Sequence, residues 1–325
     1  MKFDKVFFNP DADAGSARMP KANSGARDRR DGSIYAYTGD IILLVNAALA
    51  TGRPLLIEGP PGSGKSSLAP SIARKLGWWY LEQVITSRTT ARDLLWEFDS
   101  LRRLHDAQVR EKTLPPKPAY VTPGVLWWAF DPVGASKRGM EGSQEKPLPN
   151  PGRSTGKKPK NAAVVLLDEI DKAEPDVPND LLVPLGSGQF TVDETGVLVR
   201  AQRPLLLVVT TNGERDLPPA FIRRCVRMKL EAHTQAQLVD IAMRHHGAEG
   251  SRLYQRLAEW LVQEREAARE RGIREPSTAE FLDAIQACKD LKLDIETQDD
   301  LKSEDWQKLS RAVLLKVDPP ELGEA

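Results

Sequence analysis

Residues 55–66 read Leu55-Leu56-Ile57-Glu58-Gly59-Pro60-Pro61-Gly62-Ser63-Gly64-Lys65-Ser66, and no other stretch leaves the chain so little choice of fold. The apolar run predicts a buried strand, the glycines a turn, and the residues after Lys65 a helix. Gly59, Gly64, Lys65 and Ser66 fit the phosphate-cradling pattern GxxxxGK[ST]. Glycines let backbone N–H groups curl round phosphate oxygens, and the new helix points its positive end at the same anion. Residues Gly59 to Gly64 with Lys65, Ser66 and Ser67 are therefore the candidate nucleotide cradle. Lys65 would reach the β- and γ-phosphates, and the Ser66 hydroxyl would ligate Mg²⁺. A strand, cradle and helix in this order predict an α/β fold on a parallel sheet.

A second stretch bears on the first. Ala162-Ala163-Val164-Val165-Leu166-Leu167-Asp168-Glu169 is a continuous apolar run ending in two carboxylates. Such a run is a strand buried on both faces of a parallel sheet, and strand ends of that kind face the ligand crevice. Asp168 would hold Mg²⁺ through water, and Glu169 would orient or activate the attacking water. Pro204–Thr211 is another doubly buried strand, and Asn212 at its end would bond the attacking water or the γ-phosphate.

The rest of the chain is read around these. Residues 1–33 carry little periodicity and predict a flexible tail or an arm lying on a neighbour. Thr38 or Asp40 caps a helix over 39–52, and Tyr35, Tyr37 and Thr38 ahead of it are candidate adenine contacts, with structural packing an equal reading for both tyrosines. Pro70 falls inside the helix after the cradle and predicts a kink. Trp96-Glu97-Phe98 suggests a small hairpin with Arg102 and Arg103 near its tip, and 190–200 predicts a second hairpin. Trp127 and Trp128 could grip a substrate; core packing is the better reading. Residues 133–160 carry seven Lys or Arg against two Glu and predict a disordered surface insertion. From 231 the pattern turns helical. Thr234 with Gln237 and Ser277 with Glu280 form capping boxes, so 231–325 is expected to be a small all-helical domain after an α/β domain over 34–230.

Composition excludes other classes. Lys plus Arg (46) equals Asp plus Glu (46), so no global charge favours nucleic acid. The two cysteines and four histidines lack the spacing of a zinc site or a disulfide framework. No apolar run approaches the ~20 residues that span a bilayer, and the N-terminus lacks the apolar core of a signal peptide. A cytoplasmic chain is the expectation.

These landmarks, in this order, resemble the AAA+ ATPases, and within them the MoxR-like group, over roughly residues 34–320. Glu58–Ser66 looks like Walker A of a P-loop NTPase. Leu166–Ala173 looks like Walker B and its following turn, and Val208–Asn212 like the sensor-1 strand. Asp216–Cys225 resembles the segment that carries an arginine finger, with Arg224 at the matching position and Arg223 beside it. The resemblance implies an AAA+ αβα core with a C-terminal helical lid, and ATP and Mg²⁺ as ligands. It also implies a ring oligomer, a hexamer by family habit, in which Arg224 acts on a neighbour's γ-phosphate. It places the hairpins at 94–104 and 190–200 near the ring pore. The expected output is remodelling or activation of a partner protein, such as one with a von Willebrand A-type domain. An alternative is a nucleic-acid-linked motor or defence-system ATPase using the basic 133–160 segment. A third reading, a switch that binds ATP and hardly turns it over, is disfavoured by Glu169 and Arg224. The turn Glu275-Pro276-Ser277-Thr278-Ala279-Glu280 departs from the family in lacking a sensor-2 arginine; Arg274 lies just before it.

Overall fold

The computed structural model describes residues 6–11, 32–109, 114–140, 146–154, 159–293, 295, 297 and 299–315. Helix α1 (Gly39–Thr51) starts where the Thr38 side chain accepts the Ile41 N–H and stops at Gly52, whose φ of 64° suits glycine. Strand β1 (Leu55–Glu58) leads through the glycine loop into α2 (Lys65–Leu76), followed by β2 (Trp79–Val84). Then come α3 (Ala91–Leu95), β3 (Trp96–Phe98), α4 (Ser100–Val109), β4 (Val121–Pro123), α5 (Val125–Phe130) and α6 (Pro132–Ser136). The next strand, β5 (Ala163–Asp168), precedes α7 (Asp176–Asp180), α8 (Leu182–Ser187), β6 (Gln189–Val192) and β7 (Val197–Arg200). The sheet is completed by β8 (Leu205–Thr211) and, after α9 (Pro219–Ile222), by β9 (Val226–Lys229).

Five strands form one parallel sheet in the order β2-β5-β8-β1-β9. The central strands are buried on both faces, which is why they read as unbroken apolar runs. Alternation divides them. Leu56, Val165, Leu167 and Val209 face one core with α5, while Leu55, Ile57, Val164, Leu166 and Val208 face another with α1 and α2. Trp127 and Trp128 lie in the first core, fully and nearly fully buried, so they pack and do not grip.

The final helices are α10 (Gln235–His246), α11 (Ser251–Glu270), α12 (Thr278–Leu291) and α13 (Glu304–Ser310). Both expected capping boxes are present, Thr234–Gln237 ahead of α10 and Ser277–Glu280 ahead of α12. These helices share their own core, which includes Leu238, Tyr254, Leu261, Phe281, Ile285 and Trp306.

Several expectations are corrected. Within the expected flexible tail, residues 6–11 dock on the body: Phe8 is buried, and Asn46 binds its backbone through both amide atoms. Residues 12–31 lie outside the described residues. α2 runs through Pro70 without a break in the helix. Trp96–Phe98 does not fold on itself but pairs with Val121–Pro123, with helix α4 inserted between the two strands. The second hairpin forms as expected, β6 against β7. The insertion 133–160 is ordered where it is described. Asp131 caps α6, Ala135 is buried, and Arg153 bridges to Tyr80 at the edge of β2 while its guanidinium bonds Glu82. Residues 141–145 and 155–158 lie outside the described residues.

One buried arginine fixes this packing. Arg203 donates from Nε to the Ala129 carbonyl (2.8 Å) and from Nη2 to that of Trp128 (2.7 Å), closing the C-terminal end of α5. Burial pushes its guanidinium down to about 10, against the pull of Asp131, so it stays charged at neutral pH. Arg203→Met leaves both carbonyls without that donor and is expected to cost about 2–4 kcal/mol in chemical denaturation.

Candidate active site

The parallel register brings the three predicted stretches to one edge of the sheet. β8 lies between β1 and β5, with Glu58 opposite Thr211 and Leu167 opposite Val209. The glycine loop, Asp168-Glu169 and Asn212 therefore leave adjacent strands side by side.

The loop is wrapped on its lysine. Lys65 Nζ donates to the carbonyls of Gly59 (2.7 Å) and Pro60 (2.8 Å). Burial pulls its ammonium below the ordinary value, and the carboxylates of Asp168, Asp171 and Glu169 push back. Gly62 and Gly64 have φ of 74° and 87°, a conformation side chains resist. Space forbids a larger residue too: a Cβ at Gly59 would meet the Leu230 carbonyl at 2.4 Å, and one at Gly62 would meet Ser277 Cβ at 2.5 Å. The Ser63 hydroxyl is buried in the loop and has no hydrogen-bond partner among the described residues, an orphaned donor of the kind a phosphate oxygen satisfies.

Ser66 Oγ donates to Asp168 Oδ1 at 2.7 Å. The same carboxylate oxygen accepts from Thr210 Oγ1 at 2.6 Å, and that hydroxyl in turn accepts the Glu169 N–H at 2.9 Å. A serine hydroxyl beside a buried carboxylate is the oxygen donor set that Mg²⁺ prefers, so the residues fit that ion. Glu169 sits in left-handed backbone (φ 62°, ψ 51°), which costs a non-glycine residue roughly 1–3 kcal/mol and concentrates at functional sites. Its Oε1 accepts from Asn212 Nδ2 at 3.3 Å and its Oε2 from Lys172 Nζ at 2.6 Å. Asp171, buried in the same turn, accepts the N–H groups of Asn212 (3.1 Å) and Glu214 (3.0 Å) and so holds the end of β8 in place.

Arg224 is not brought to this edge. It precedes β9, whose Val226 lies opposite Leu55 and whose Lys229 lies opposite Glu58. The arginine thus begins at the far edge of the sheet, more than ~10 Å of strand from the loop. Arg223 and Arg224 are both exposed, and neither side chain has a partner among the described residues. Of the expected adenine contacts, Thr38 caps α1 and the Tyr37 hydroxyl donates to Ser71 Oγ at 2.7 Å. Tyr35 alone stands against the loop, its ring 3.5 Å from where a Gly64 Cβ would be. Burial raises both phenols well above their ordinary value, so they stay neutral.

The helical region closes over the loop. A cleft of about 300 Å³ runs between Pro60–Ser63 and residues that include Arg265, Arg274, Pro276 and Thr278. Arg265 clasps it, donating to the carbonyls of Pro276 (2.8 Å) and His233 (3.1 Å) and to Thr278 Oγ1 (3.3 Å). Burial, and then the Arg265 charge, keeps His233 below its ordinary value and so neutral. Arg274 borders the cleft and pairs with Glu280 at 2.7 Å. Sequence reasoning missed Thr210, Asp171, Lys172 and Arg265. Only Thr210 carried a local signal, a polar residue in a doubly buried strand.

Residues 54–225 match the family described as AAA domain (dynein-related subfamily). The chain is similar to peroxisomal Lon protease homolog 2 of Arabidopsis thaliana, 27% identical over 203 residues, which covers 60% of this chain and 18% of that protein. It is also similar to Protein NorQ of Paracoccus denitrificans, 23% identical over 229 residues, 68% of each. The chain thus spans less than a fifth of the first relative's length. Among solved structures, a Thermotoga maritima RuvB mutant aligns over 83% of this chain and 66% of its own, with 17% identity and a TM-score of 0.42. Among the described residues no helix is long and apolar enough to cross a membrane.

Proposed function

This chain belongs to the AAA domain family of the dynein-related subfamily and is an AAA+ ATPase; from that premise we propose that it is of the MoxR-like kind and works as a ring of copies that remodels or activates a partner protein. The observation that carries the reading is the convergence of Lys65, Ser66, Asp168, Glu169 and Asn212 on one sheet edge, with Arg224 at the opposite edge and free to serve another copy. The similarity to Protein NorQ supports the MoxR-like assignment.

Each residue has a task in phosphoanhydride hydrolysis. The loop Gly59–Gly64 with Ser67 binds phosphates through backbone and hydroxyl donors. Lys65 exchanges its two carbonyl partners for phosphate oxygens and neutralises their charge. Ser66 and Asp168 would hold Mg²⁺, which supplies charge neutralisation at the phosphates. Glu169 orients a water in line and accepts its proton, and Asn212 keeps that carboxylate and water in register. Arg224 of a second copy stabilises the charge that develops on the transferred phosphoryl group. The helices α10 to α13 form the lid: Ser277 rests on Gly62, so a change in the loop reaches α12 directly. A hexamer is the ring size we expect.

Phosphate release from the purified chain tests this reading. Turnover should need Mg²⁺, vanish with chelator, and show no response to DNA or RNA. Capture with Glu169→Gln in the presence of ATP should retain a partner protein, and a von Willebrand A-type domain protein is the one we expect. Turnover that rises with nucleic acid and falls again when 133–160 is deleted would replace this reading with a nucleic-acid-linked one.

A further inference from the structure

Each oxygen of the Glu169 carboxylate accepts a hydrogen bond from a side chain. Asn212 holds Oε1, and Lys172 holds Oε2 at 2.6 Å. The turn that carries the lysine is closed by backbone as well, since the Lys172 N–H donates to the Glu169 carbonyl at 3.0 Å. Backbone and ammonium together wrap residues 169–172 back on the glutamate and keep it in its left-handed conformation. Two neighbours in this turn differ in kind. Asp171 is 3% exposed and binds two backbone N–H groups, so it anchors the turn. The Lys172 side chain is 41% exposed, so its ammonium can leave Glu169 for water at little desolvation cost.

We propose that Lys172 is a latch on the water-orienting carboxylate: bonded to Oε2 it restrains Glu169 and weakens it as a base between turnovers, and letting go of that oxygen raises the readiness of Glu169 to receive a proton from water. The inference rests on the reading of Glu169 given above. An ammonium bonded to a carboxylate oxygen lowers that carboxylate's basicity and fixes its orientation, and both effects add to the barrier for taking a proton from water. Lys172 acts through Glu169 and is a positioning residue. If it aided the chemistry, its removal would slow turnover; as a latch, its removal speeds it.

The test is phosphate release by the full chain at saturating ATP and Mg²⁺, with Lys172→Met and Lys172→Gln. Basal kcat should rise about two- to fivefold, the range that loss of an exposed ion pair permits. KM and affinity for a fluorescent ADP analogue should stay within about twofold of the parent. Lys172→Arg should keep the low basal rate. A role confined to holding the fold would lower kcat or thermal stability and would not raise the rate. An unchanged or reduced kcat in both variants overturns the latch. Glu169→Gln separates the two readings: it should be inactive alone and equally inactive with Lys172→Met. If Glu169→Gln itself turned over, the assignment of Glu169 would fail and take the latch with it. If Glu169→Gln is inactive and the lysine variants gain nothing, the latch alone fails.

Discussion

Glu169→Gln is expected to lower steady-state turnover by about 10²–10⁴-fold while leaving nucleotide affinity close to that of the parent. The amide keeps the side chain's shape and an acceptor for Asn212, whose bond to Oε1 is 3.3 Å long. It removes the negative charge and the oxygen that would take a proton. The phosphate-binding groups are untouched: Lys65 and the loop lie on β1 and α2, whereas Glu169 leaves β5. The backbone strain at φ 62° is also retained, so the variant should fold with similar stability. Phosphate release and equilibrium binding of a fluorescent nucleotide, measured side by side, check this. Turnover within a few-fold of the parent would remove Glu169 from the chemistry. Joint loss of binding and turnover would assign it a structural role.

Arg224→Ala is expected to cost about 10³-fold or more in turnover, the scale on which a guanidinium stabilises phosphoryl transfer. The side chain is exposed and without a described partner, so its truncation should leave stability within ~0.5 kcal/mol of the parent. Cys225 beside it is buried and holds the turn through Sγ to the Phe221 carbonyl, so the backbone should not shift. A large loss of rate with no loss of stability or nucleotide affinity distinguishes a catalytic arginine from a surface one. Arg223→Ala serves as the neighbouring comparison and should cost far less.

What could be read from the chain alone follows from the range of the interactions. Walker A, the strands through Asp168 and Asn212, and the two capping boxes are written in contiguous residues, because phosphate cradles, buried strands and helix starts are local chemistry. Arg224 was legible only through its neighbours in Asp216–Cys225. Its place at the far edge of the sheet needed the β9–β1 register. Thr210 reaches Asp168 and Arg203 reaches Ala129 across gaps of 42 and 74 residues, and no periodicity announces such bonds. The strand Trp96–Phe98 was visible, but its partner at Val121–Pro123 was hidden behind an inserted helix. In the described parts of 133–160 the expectation of disorder rested on composition alone. Asp131, Ala135 and Arg153 tie those parts down one contact at a time.

The measurement that bears most directly on a site shared between copies is subunit mixing. Lys65→Ala removes the phosphate-binding ammonium and leaves Arg224 intact; Arg224→Ala leaves Lys65 intact. Each variant alone should be inactive. Mixed in equal amounts, they create interfaces where an intact loop meets an intact arginine, and phosphate release should return to a measurable fraction of the parent rate. A mixture that assembles and binds nucleotide yet stays as inactive as its components would contradict a site completed by a second copy.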